Sequence, residues 1–141
     1  MRATDPSSTR LLAAFSAAYC LASFVHFVHN AEYLADYPNM PLWISRAKVY
    51  AAWLAITAVG ALGLVVARSR HAIAGFVLVA IYAVLGFDGL GHYALAPLSS
   101  HSLAMNFTIW FEVAAAAVLL CIALRCVFLA GRRFGAAHVD G

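Results

Sequence analysis

Five side chains in this sequence have the types and spacings that metal ligation or proton transfer requires: His26, His29, Asp88, His92 and Glu112. His26 and His29 stand three residues apart, and Asp88 and His92 four apart. Positions three and four apart share a helix face, so each pair can aim two ligands at one ion. Mixed imidazole and carboxylate donors suit copper, iron or zinc, and a divalent transition metal is the expected cofactor, with redox or hydrolytic chemistry open to it. The same groups can move protons instead: a carboxyl in an apolar pocket serves as a general acid and a histidine as its partner base. Asp88 and Glu112 are the candidate catalytic groups in that reading.

Asn30, Tyr50, Thr108 and His101 are the expected supporting residues, either flanking a cofactor or lining the way to it. Asp88-x-x-x-His92 followed by His101 resembles the copper-ligand arrangement in the membrane subunit of particulate methane monooxygenases, over that short stretch alone. The paired Glu-x-x-His motifs of ferritin-like di-iron bundles are absent, which argues against a symmetric di-iron centre. Haem b is the less favoured variant. His26 and His92 could supply two axial ligands, but Asp88 and Glu112 would then lie against an apolar macrocycle. The cysteines, Cys20, Cys121 and Cys126, show no CxxC or zinc spacing and read as buried apolar residues rather than a disulfide.

The elements that must position these groups are apolar. Hydrophobic residues make up 65% of the 141-residue chain, charged residues 11%, and the mean hydropathy is +0.86. A soluble domain of this size could not hide so much apolar surface from water. Four stretches, 11–33, 49–67, 72–93 and 103–129, each approach or exceed the length a spanning helix needs. The expectation is an all-α, polytopic membrane protein: one four-helix bundle over 11–130, between a polar lead-in at 1–10 and a tail at 131–141. The first stretch is too long for a signal peptide's apolar region and carries two histidines, so it reads as a retained span.

The net charge of +3 does not point to nucleic acid, because the arginines mark topology instead. Arg2 and Arg10 precede the first span, Arg68 and Arg70 link the second to the third, and Arg125, Arg132 and Arg133 close the fourth. By the positive-inside rule both termini are cytoplasmic, in what reads as a bacterial cytoplasmic membrane. The loops near 36–45 and 95–102 then face outward. Tyr33, Tyr37 and Trp43 suit the membrane–water interface, and Ser99, Ser100 or Ser102 can cap the fourth span.

Helical spacing gives each span one polar-tipped stripe: Tyr19, Ala22, His26, Asn30 and Tyr33 on the first; Arg46, Tyr50, Trp53 and Thr57 on the second. The third carries Ile81, Val84, Asp88, His92 and Leu95, and the fourth His101, Met105, Thr108 and Glu112. Asp88 and His26 should lie roughly 10 Å below the outer surface and Glu112 some 15 Å. Four such stripes facing one axis would bring imidazoles and acids together in the outer half of the bundle. The plainer readings are a carboxylate clamp between helices for Asp88 and Glu112, and a solvated loop position for His101. Two other classes share the pattern: a metal-free enzyme doing isomerase-like acid–base chemistry on a lipid-like substrate, and a non-catalytic accessory subunit docking a membrane-protein partner, or a second copy, through 37–43. Proton conduction is disfavoured by the apolar cytoplasmic halves.

Overall fold

Apolar, β-branched and alanine-rich runs with no interior proline dictate helices, and the computed structural model is all helical, with no strand among the described residues. It describes residues 6–139, with side chains over 7–132. The long helices are α1 (Pro6–Glu32), α2 (Arg46–Ala67), α3 (Ala72–Leu85) and α5 (Leu103–Val139), with a single turn, α4 (His92–Leu95), between the last two. Four segments are long and apolar enough to cross a membrane: Ser7–Glu32, Arg46–Ala67, Ala72–Leu95 and Leu103–Arg132. That composition marks an integral membrane protein. Of the polar lead-in, residues 1–5 lie outside the described residues, and Pro6–Thr9 already belong to α1, proline taking the opening position it favours. The tail is helical through Val139.

The bundle closes because α1 and α5 both bury a stripe at alternating steps of three and four. On α1 it comprises Leu12, Ser16, Tyr19, Ser23, His26 and Asn30; on α5 it includes Met105, Ile109, Glu112, Ala116, Leu119 and Ala123, with Thr108 beside it. This is the heptad spacing that keeps one seam inward. Leu12, Tyr19, Phe76, Val79, Leu119 and their neighbours form the main apolar core. The two central spans form a close hairpin about the 68–71 link, and glycine makes the approach possible. A Cβ on Gly75 would run into the Ala67 backbone nitrogen, and one on Gly60 would sit 2.5 Å from the Tyr82 ring. Small residues at such crossings let backbones touch in lipid.

The third span departs from the expected continuous helix. α3 stops at Leu85, a 3-10 turn runs over Asp88–Gly91, and α4 resumes at His92. Gly86, Gly89 and Gly91 fall within six residues, and each weakens helix against alternatives. The tighter turn breaks the stripe: Ile81 and Val84 face outward while His92 is buried. The loop after α1 turns through a 3-10 segment, Leu34–Asp36, then extends at Tyr37 ahead of Pro38. Asn39 takes the left-handed conformation (φ 57°) and its Nδ2 donates to the Leu95 carbonyl at 2.8 Å, tying this loop to the end of the third span. Lys48 holds the other flank, donating to the Trp43 carbonyl at 2.8 Å and lying over its ring. Ser45 caps α2, and Ser102 receives the Met105 N–H at the start of α5. The two ends of the bundle differ accordingly: a loop end bearing these connections, and an arginine end bearing Arg68, Arg70 and Arg132.

Candidate functional site: a buried histidine–carboxylate pair beside an apolar cleft

His26 from α1 and Glu112 from α5 meet inside the bundle, Nε2 to Oε2 at 3.7 Å, and neither is more than 3% exposed. Thr108 donates its hydroxyl hydrogen to the Met105 carbonyl at 3.0 Å, and its oxygen lies 3.3 Å from His26 Nδ1, placed to accept when that nitrogen carries a proton. With Nδ1 protonated, Nε2 and Oε2 would be two bare acceptors face to face unless a proton lies on one of them. In that tautomer one further proton, on either imidazole or acid, satisfies the pair. Among the described residues neither Glu112 oxygen has a hydrogen-bond partner, a rare state for a buried carboxyl.

A second histidine stands beside the first. The His92 ring lies 5.6 Å from that of His26, and its Nε2 accepts from Asn30 Nδ2 at 3.0 Å. His101 continues the row 6.2 Å further on, with Nδ1 donating to the Pro97 carbonyl at 3.1 Å and a buried, unpartnered Nε2. Tyr37 roofs the group: its ring leans on His92 at 4.7 Å, and its hydroxyl hydrogen-bonds His29 Nδ1 at 2.9 Å. Burial, with the nearby Glu112 charge adding to it, pushes the Tyr37 phenol up to about 12.

The expected residues thus divide. His26, Asn30, His92, Thr108 and Glu112 come together, and His101 joins at the loop end. His29 is half-buried at the edge and reaches the group only through Tyr37. Asp88 does not pair with His92 on one helix face; it opens the 3-10 turn and is exposed on the wall of a cleft. Tyr50 is tied to Glu32 at 2.7 Å on the outside, beside the Arg46–Glu32 ion pair, so α2 adds no polar group to the pair. Tyr37 is the residue that sequence reasoning misplaced at the interface. Ser16 and Ser23 were overlooked, although their spacing with Tyr19, His26 and Asn30 signalled a shared face.

The cleft, about 400 Å³, lies between α1, the start of α2 and the 88–95 segment, under the 40–44 loop. Its floor carries His26, Asn30 and His92, Asp88 lies on its wall, and Phe27, Pro41, Trp43, Ile44, Val49 and Leu95 supply apolar surface. Gly89, which also lines the cleft, backs onto the pair: a Cβ there would lie 3.5 Å from Glu112 Oε2 and 3.6 Å from His26 Nε2. A polar floor under apolar walls suits an amphiphile with a small polar group. Among the described residues, no three His, Cys, Asp or Glu side chains converge as a metal shell would require. No protein-family model, curated protein or solved structure matches the chain.

Proposed function

We propose that this protein is a membrane-embedded acid–base catalyst, isomerase-like, acting on a lipid-like substrate held in the cleft. The observation that carries the reading is the His26–Glu112 pair itself, 3.7 Å apart and buried, with His26 on the floor of the cleft. A base that lifts a proton from an activated C–H and returns it to a neighbouring carbon shifts a double bond with no oxidant, reductant or co-reactant. His26 is the proton carrier, Glu112 stabilises the imidazolium, and Asn30, held by His92, orients the substrate's polar group. Asp88 is a second acid at the cleft wall. Both termini face the cytoplasm in this proposal, because Arg68, Arg70, Arg125 and Arg132 gather at the arginine end.

The test works before the substrate is identified. Purified protein in lipid extract made up in D2O should place deuterium at a carbon position of one lipid class, read by mass spectrometry. Glu112→Gln and His26→Ala should abolish the labelling, and Gly89→Ala should weaken it while leaving the fold intact. Equal labelling by wild type and Glu112→Gln would overturn the reading.

A divalent metal (copper, iron or zinc) is the second reading, favoured by the row of three imidazoles and the unpartnered Nε2 of His101. It requires side chains to turn toward a common point. Stoichiometric metal in purified protein, lost in His92→Ala, would replace the acid–base proposal.

A further inference from the structure

From the Glu112–His26 pair toward the arginine end, the inward face of α1 carries Ser23, Tyr19 and Ser16, at 0%, 0% and 4% exposure. The hydroxyl of each is buried and has no hydrogen-bond partner among the described residues. This is unusual. A serine inside a spanning helix ordinarily bonds back to the carbonyl one turn earlier, and Ser16 and Ser23 do not. Ser23 stands next to both Glu112 and Tyr19, near enough to act on each. Tyr19 lies against Tyr82 of α3, ring centroids 4.6 Å apart, and the Tyr82 hydroxyl is likewise buried without a partner.

Buried hydroxyls without protein partners are characteristically met by internal water, and hydroxyls alternating with water carry protons. Including His26 and Asn30, the polar face from Ser16 to Asn30 covers roughly 21 Å of helix, against a hydrocarbon core about 30 Å thick. Ionisable groups at such depth in spanning segments commonly belong to proton relays. On the other side of the pair, His26 lines the cleft that reaches the loop end. Leu12, fully buried one turn beyond Ser16 on the same face, stands between the line and the arginine end.

We propose that Ser16, Tyr19 and Ser23, with intervening water, form a proton path from the arginine end to the Glu112–His26 pair. With the cleft on its far side, the pair becomes the central station of a transmembrane proton relay. The path follows from the unpartnered hydroxyls and does not depend on lipid chemistry at the cleft.

The experiment is proton flux into proteoliposomes holding an internal pH dye, driven by a potassium diffusion potential with valinomycin. Wild-type vesicles should acidify faster than protein-free vesicles of the same lipid. Glu112→Gln should return the rate to the protein-free level. Tyr19→Phe and Ser23→Ala, near-isosteric changes that keep the packing, each remove one hydrogen-bonding station and should lower the flux roughly tenfold. Leu12→Ser extends the line by a turn and should raise it. Wild-type flux equal to that of protein-free vesicles would overturn the relay, as would Tyr19→Phe and Ser23→Ala fluxes equal to wild type. The deuterium-labelling assay is separate, so failure here leaves the acid–base reading to stand or fall by itself.

Discussion

Replacing Glu112 by leucine should leave this protein as stable as before or more so, while abolishing the proposed deuterium labelling. At 3.7 Å the charged form of the His26–Glu112 pair gains about 4.5 kcal/mol of attraction at an effective dielectric of 20. Against that stands a desolvation penalty of several kcal/mol for each ion, with no further hydrogen bond to either carboxyl oxygen. The neutral form does no better, since each unmade hydrogen bond in the interior costs about 1–3 kcal/mol. Leucine fills a similar volume beside Ile109, Val113 and Ala116 without these penalties. The expected gain is about 1–3 kcal/mol, within the range found when buried ion pairs become apolar. His26→Ala should do the opposite, losing about 3–5 kcal/mol by stranding the carboxylate. Cys126 provides the readout: it is 7% exposed, and in a Cys20→Ser, Cys121→Ser background its labelling by a thiol-reactive fluorophore reports unfolding in detergent. A structural clamp predicts that Glu112→Leu destabilises as much as His26→Ala. That result would refute the argument that the pair is kept for chemistry.

Gly75→Ala drives a methyl into the Ala67 backbone, which has no flexible end to move, so it should cost more than the roughly 1–3 kcal/mol of ordinary overpacking and show as lost monodisperse protein. Tyr37→Phe removes the bond to His29, worth about 1 kcal/mol. In the wild type, the Tyr37 phenol should ionise near 12 rather than 10.0 by ultraviolet titration, a shift missing from Tyr37→Phe. Because the folded value is the higher one, the linked stability is intact below pH 10 and falls away as pH rises toward 12. Asn39→Gly keeps the left-handed turn but loses the bond to the Leu95 carbonyl, costing about 1 kcal/mol. Asn39→Ala loses both, and thermal unfolding should separate the two by another 1 kcal/mol or so.

Much of the site was legible in the sequence because its elements obey local rules. His26 and Asn30 on α1, and Thr108 and Glu112 on α5, follow helical spacing over unbroken helices, so their shared faces survive folding. Asp88 and His92 were read by the same rule, and there it failed. Three glycines tighten the backbone between α3 and α4, leaving Asp88 exposed on the cleft wall and His92 buried at its floor. Tyr37 carries no periodic signal at all; it reaches His92 only because Asn39 and Lys48 fold the loop back over the bundle. The expectation of an apolar arginine-side half overlooked Ser16 and Ser23, single hydroxyls that barely alter the hydropathy of the surrounding window.

Hydropathy and chain length alone determined that there are four spanning helices, because water's aversion to apolar surface acts on every segment independently of its neighbours. Which faces turn inward was a different matter. A lipid-facing side chain and a core-facing one are both apolar, so sequence hardly distinguishes them. Only the packing of α1 against α5 decided that Glu112 would meet His26 in the interior while Asp88 stayed at the cleft and Tyr50 on the outside.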